Sequence, residues 1–224
     1  MSPQFSTLTK NANKELVMAE TTSNAEKDTN AKLSFEYGGQ TYKAVKIGTQ
    51  IWMAENLNYE AEGSKFYENN PDNGAKYGRL YTWETAMKVC PKGWHLPTNE
   101  EWEKLFCFVD GSTCSKKPYS ETASKYLKAV SGWEPAVNGW EPYDDIEIEN
   151  LDTYGFSALP GGLGNLRGRF SSVGKGGFWW SSSEFSCDFT NSDAYRLDML
   201  YDDDRAYSIN TGKSNLLSVR CLQD

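Results

Sequence analysis

Apolar and polar positions along this chain fall into short runs whose period changes from one segment to the next. In "QTYKAVKIGTQIWMAENL" two β-branched and aromatic segments flank Gly48-Thr49. Glycine takes the positive φ of a two-residue II′ turn, so the stretch predicts a β-hairpin. In "RLYTWETAMKVC", Trp83, Met87 and Cys90 stand four and three residues apart, which suits one helical face ended by Pro91-Lys92-Gly93. Thr98 and Glu101 spell a T-x-x-E capping box, in which hydroxyl and carboxylate each satisfy a free backbone N–H. Trp102, Leu105, Phe106 and Val109 follow at i, i+3, i+4 and i+7, a single apolar helical face. "SETASKYLKAV" predicts a further helix, with Ser120 as N-cap and Ala123, Leu127 and Val130 as its buried stripe. An irregular middle leads to "GFWWSSSEF", "AYRLDML", "RAYSIN" and "LLSVRCL", which read as short strands separated by turn residues. Helices early and antiparallel strands late predict an α+β architecture.

Residues 1–34 carry one aromatic, Phe5, among Asn, Thr, Lys, Ser and Glu, too little apolar surface to order themselves. They are expected to be a disordered linker or N-terminal extension, and residues 35–224 a single domain. The basic start and continuous apolar stretch of an export signal are not visible in them. Nor does any run suit a membrane span. The formal net charge of -8, with Lys and Arg scattered singly, argues against a nucleic-acid partner, which needs a clustered basic surface. Eight Trp and thirteen Tyr are many for an ordinary enzyme, and suit either a loop-rich core or rings that stack on sugars.

Cys90, Cys107, Cys114, Cys187 and Cys221 form no C-x-x-C, and the chain has one histidine, so neither a zinc site nor a thioredoxin-like motif is encoded. The odd count leaves one thiol over. Two disulfides would suit an extracytoplasmic compartment, although the count also admits a reduced chain. His95, followed by Glu100, Glu101 and Glu103, raises the question of an active site. The acids belong to a helix N-terminus, where the dipole favours negative charge, and Glu100 and Glu103 fall on the side away from Trp102. The expected role of His95 is a local hydrogen bond beside Trp94. A cleft placing it against a cysteine or several carboxylates would reverse that reading.

"YGRLYTW", "CPKGWHLPTNEEW", "GFSALPGG", "GFWWSSSE" and "SVRCLQD", in this order within residues 42–224, resemble the Fibrobacter succinogenes major paralogous domain. That family is similar to the formylglycine-generating branch of the C-type-lectin-like fold. The resemblance implies two helices, short antiparallel strands, long loops and paired first and last strands. It also implies secreted or surface-anchored proteins suspected of binding or adhesion. Many relatives carry cysteines where Phe66 and Gly74 stand here, so a local disulfide is expected to be missing. Cys90 and Cys221 occupy family positions and are candidates for one bridge; Cys107 and Cys114 are candidates for a second. The enzyme branch needs reactive cysteines to bind copper, and no pair here matches them. Cys187 lies among acids, which do not stabilise a thiolate.

The glycines of "GGLGNLRGRF" lack the spacing of a phosphate cradle and read as loop glycines, Gly161, Gly162 and Gly164 among them. "GWEPAVNGWEPYDDIEIENLD" repeats Gly-Trp-Glu-Pro and then runs through acids without a base. As a loop it offers Trp133, Trp140 and Tyr143 as ring faces for a sugar, with Asp144 and Asp145 beside them. Folding back as a satellite core is an equal alternative. Asp144, Asp145 and Glu147, or Asp202, Asp203 and Asp204, are oxygen ligands calcium could use, but solvated turns are the favoured reading and no cofactor is expected. The leading expectation is a non-catalytic secreted or cell-surface module that binds a polysaccharide or protein. The alternatives are a formylglycine-generating-like oxidase or modifying enzyme, and a structural surface module without a small ligand.

Overall fold

β-Branched and aromatic residues build the first hairpins: Leu33–Tyr37 (β1), Gln40–Ile47 (β2) and Gln50–Met53 (β3). Ile47 pairs with Gln50, and Gly48 takes φ 60 in the expected two-residue turn. The computed structural model describes residues 33–111, 118–135, 149–187 and 190–224. Residues Ser34–Asp224 form one compact unit. The proposed disorder of 1–34 concerns residues almost wholly outside those described.

After β3 come two short helices, Pro71–Tyr77 (α1) and Trp83–Ala86 (α2), and the two-residue strand Trp94–His95 (β4). Asn99–Val109 (α3) follows, then Tyr119–Ser120 (β5) and Ala123–Leu127 (α4). Strands fill the remainder: Gly161–Asn165 (β6), Phe170–Val173 (β7), Gly176–Cys187 (β8), Thr190–Leu200 (β9), Ala206–Gly212 (β10), Asn215–Leu216 (β11) and Leu222–Gln223 (β12). They form three sheets, ordered β1-β2-β3-β12-β4, β5-β10-β9-β8 and β11-β6-β7.

The α+β, C-type-lectin-like expectation is therefore overturned: the described residues are mostly β, with antiparallel sheets and four short α-helices, the longest of 11 residues. Helical periodicity misleads at two places. The "RLYTWETAMKVC" stripe stops after Ala86, and Met87, expected inside, is 44% exposed. The "SETASKYLKAV" helix ends at Leu127 because the chain leaves it to pair with Ala158, through Ala129 N–H to Ala158 O and Ala158 N–H to Leu127 O. Val130 is left exposed. Ser120 lies in β5, yet its Oγ still accepts from the Ala123 N–H at 2.8 Å. Nor do the first and last strands pair: β12 lies between β3 and β4, with Leu222 opposite both Trp52 and His95. The "loop" glycines Gly161, Gly162 and Gly164 lie in β6. A Cβ on Gly162 would meet Ser171 O at 2.6 Å, so close strand packing is what requires glycine there.

The capping box forms as expected, and Trp102, Leu105, Phe106 and Val109 are buried. They join Trp52, Phe156 and Trp179 in one apolar cluster; Tyr42, Met53, Tyr81, Trp180 and Cys221 belong to a second. Phe35 and Trp94 stack at 4.4 Å and Tyr37 and Tyr59 at 4.5 Å, so these rings spend faces on each other.

Two cations lie inside, Lys128 and Arg220. Arg220 is fully buried, stacks 4.3 Å from the Phe156 ring centroid, and donates to Asn56 Oδ1 at 2.9 Å, Ser157 O at 2.7 Å and Phe156 O. Burial pulls its pKa down to about 9, with Asp152 and Glu55 opposing the shift, so it remains charged at neutral pH. Asn56 Oδ1 also accepts from Trp179 Nε1 at 2.9 Å, while its Nδ2 donates to Tyr77 O at 2.9 Å. The guanidinium thereby fixes Asn56, and Asn56 fixes the end of α1.

Candidate binding cleft

Above Asn56 the surface opens into a cleft of about 440 Å³. Four segments line it: Gln40 to Tyr42 of β2, the stretch after β3 with Glu55 and Asn58, the last turn of α1 with Lys76 and Tyr77, and Leu159. Gly78 brings the third segment close. At φ 77 it closes α1, and a Cβ there would lie 2.8 Å from Leu57 O, so any side chain would push α1 away. Gly74 also lines the wall, and a Cβ on it would fall 2.3 Å from the Phe66 ring. Phe66 and Gly74, where the family resemblance implied a cysteine pair, are thus in contact here, and the Phe66 ring is itself stacked under Arg79 at 4.0 Å.

The polar groups of the cleft differ in how far the protein uses them. Tyr42 is buried; its hydroxyl donates to Gln40 Oε1 at 2.9 Å and accepts from the Asn58 N–H at 3.1 Å. Burial pushes its pKa up, which keeps it a neutral donor. Glu55 Oε2 accepts from the Lys43 N–H at 2.9 Å, and Lys43 Nζ stands 3.8 Å from Oε1. Asn58 Oδ1 is buried and accepts from no donor among the described residues. Lys76 Nζ lies 4.8 Å from the Tyr77 ring centroid.

A second cleft, of about 310 Å³, opens at His95, with Cys90, Met87, Trp94, Thr98 and Ser182 in its wall. The feature that would point to an active site is thus partly present, because two carboxylates converge on the ring. Asp224 Oδ1 is 2.7 Å from Nδ1, and Glu101 Oε1 is 3.0 Å from Nε2. Both ring nitrogens face carboxylates, and a ring that donates from both has no lone pair to take a substrate proton. Cys90 is bonded to Cys221. Burial lowers the pKa of His95, but the hydrogen bonds to Asp224 and Glu101 outweigh it and the net shift is upward. Burial raises that of Glu101, and the Thr98 N–H and His95 turn the net shift downward.

The signs define a pH test. A raised His95 value gives stability that is complete below 6.5 and lost as pH rises through the folded value. A lowered Glu101 value gives stability present above 4.5 and lost as pH falls through its folded value. With both side chains about one-third exposed, solvent screening leaves the pair about 0.5–1 kcal/mol. His95→Ala is expected to be destabilised by that amount in urea at pH 5.5 and by less at pH 8.5. An equal deficit at both would contradict the ion-pair assignment.

Of the residues picked from sequence, Trp133 is half-buried against the first cluster, with Nε1 donating to Ala158 O at 3.0 Å and Lys128 Nζ 5.2 Å from its ring centroid. Trp140, Tyr143, Asp144, Asp145, Glu147 and Cys114 lie outside the described residues, as does the side chain of Cys187. Cys107 is disulfide-bonded. Asp203, raised as a calcium ligand, accepts from Arg205 Nε, Arg205 Nη2 and the Tyr207 hydroxyl. The Cys90 to Cys221 bridge is present, with Cα atoms 5.8 Å apart.

Sequence reasoning missed the cleft. Its one local sign is the pair of amides, Asn56 and Asn58, on either side of Leu57.

Fold and cleft together define a mostly antiparallel β module, cross-linked to its last strand and carrying an open polar cleft beside a buried arginine. The chain belongs to the Fibrobacter succinogenes major domain family, whose profile matches residues 45–223. No curated protein and no solved structure matches it.

Proposed function

We propose that this protein is a non-catalytic saccharide-binding module of an exported or surface-displayed chain, and that the cleft between β2, β3 and α1 is its site. The observation that carries the reading is the concave site itself, whose wall is lined by the polar side chains of Gln40, Thr41, Glu55 and Asn58. Gln40, whose Oε1 accepts from the Tyr42 hydroxyl, carries an amide with both a donor and an acceptor. An acceptor beside a donor matches the hydroxyls of a sugar, which both donate and accept. A volume of about 440 Å³ suits a small ligand or the end of a chain better than a protein face.

Two observations support the rest of the reading. Both nitrogens of His95 are held by carboxylates, which disfavours base catalysis there. The bridge between Cys90 and Cys221 favours an oxidising compartment.

The test is a glycan array probed with the full chain, followed by calorimetry on the glycans retained. Asn58→Ala is expected to weaken binding about tenfold. Because Oδ1 bonds nothing in the protein, the same change is expected to alter stability by about 0.5 kcal/mol or less. No glycan retained at high protein concentration, or full affinity in the variant, would refute the proposal.

A further inference from the structure

We infer that Cys90 is a thiol-exchange site: an external thiol enters the second cleft, attacks the Cys90 sulfur and opens the bridge to Cys221 from that side alone, with the protein still folded. The two bridged residues stand in unlike surroundings. Cys90 is partly exposed and lines the cleft of about 310 Å³ at His95, which is within the size range of small-molecule sites. Cys221 is fully buried in the second apolar cluster. Exchange depends on which sulfur is attacked and on access to it. Burial closes the route to Cys221, and the cleft opens the route to Cys90.

In the first step the thiolate bonds to the Cys90 sulfur, the Cys90 to Cys221 bond breaks, and its electron pair leaves on Cys221, which takes up a proton. A monothiol stops there, as a mixed disulfide on Cys90. With a dithiol, the second thiolate attacks its own sulfur in that mixed disulfide, expels Cys90 as a thiolate and departs as a cyclic disulfide. Two electrons have then passed from the dithiol to the bridge. A thiolate is poorly solvated among Met53, Tyr81 and Trp180, so Cys221 leaves reluctantly and recloses on Cys90. Main-chain bonds hold the neighbouring segments during the exchange: Met53 N–H donates to Cys221 O and Asp224 N–H to Gly93 O, each at 3.0 Å. Fast reclosure makes a dithiol, whose second step is intramolecular, the class of reductant the site favours.

The test exposes the full chain to glutathione without denaturant, quenches in acid, alkylates and maps the adducts by mass spectrometry. Glutathione is expected on Cys90 with the alkyl group on Cys221, in about tenfold excess or more over the reverse. Comparable adducts on both sulfurs, or none on Cys90, overturn the one-sided assignment. Reduction by dithiothreitol is expected to speed up in proportion to its concentration; a ceiling set by unfolding would show that the folded protein does not react. The entry route is read from Lys88, which lines the same cleft. At low salt Lys88→Glu is expected to slow attack by anionic glutathione about threefold relative to attack by neutral mercaptoethanol. An unchanged ratio would place the entry elsewhere and overturn the role of the cleft.

Discussion

Replacing Arg220 by Met is expected to destabilise the fold by about 3–5 kcal/mol, the range for removing one partner from a buried charged network. The methionine would fill much of the volume and keep contact with Phe156 and Trp179, so the loss isolates the hydrogen bonds. Left behind would be Asn56 Oδ1, Phe156 O and Ser157 O, acceptors inside the protein whose shared donor has gone. Lysine is expected to do little better, because one ammonium cannot reproduce the planar fork that serves acceptors on separate segments. Urea unfolding provides the measurement. A shift below about 1 kcal/mol would show that the buried guanidinium is dispensable. Because Asn56 holds the Tyr77 carbonyl, even a folded Arg220→Met protein is expected to show a loosened α1 and weaker ligand binding.

The second large effect belongs to the bridge between Cys90 and Cys221, which closes a loop with a sequence separation of 131. Loop-closure entropy at that length predicts about 5 kcal/mol, and native disulfides of small domains contribute about 2–5 kcal/mol when measured. Cys221 is fully buried in the second apolar cluster, immediately before β12, the strand that joins β3 to β4. Reduction would therefore release the connection between two parts of the first sheet. The Cys90→Ala, Cys221→Ala double variant is expected to lose about 3–4 kcal/mol in urea. A variant as stable as the parent would mean that pairing of β12 with its neighbours is sufficient, and would remove the support for an oxidising compartment.

What was legible in the sequence was local. The Gly48 turn and the Thr98 to Glu101 capping box each depend on residues within a few positions of one another, and both form. The bridge was legible through family resemblance, from positions 90 and 221, rather than from spacing. Sheet order was not legible, because β12 is placed by pairing with Trp52 and His95, residues far away along the chain. The helical stripes of "RLYTWETAMKVC" and "SETASKYLKAV" misled for a related reason. The second is shortened by pairing with Ala158, and the first ends before Met87, which is left exposed.

The site was harder still. Trp133 drew attention because tryptophan in a Gly/Pro-rich stretch suggests an exposed ring, yet its indole N–H is used on Ala158 O. Asn58 and Lys76 are ordinary residues in sequence, and they become a site only where α1 is brought against the stretch after β3. Arg220 held a usable sign, a charge flanked by Val219 and Cys221 in an apolar run. Cations in such runs are seldom buried without a network of acceptors, so a network could have been sought.

The account stands on the claim that the cleft of Asn58 and Lys76 is where a saccharide binds. Amide-resolved NMR of the ¹⁵N-labelled full chain, titrated with a glycan retained by the array, tests it most directly. The account predicts saturable shifts at the Asn58 side-chain amide, Lys76 and Gly78, with the Trp133 indole unmoved. Shifts centred on the Trp133 indole and residues 136–148, with Asn58 and Gly78 silent, would contradict it.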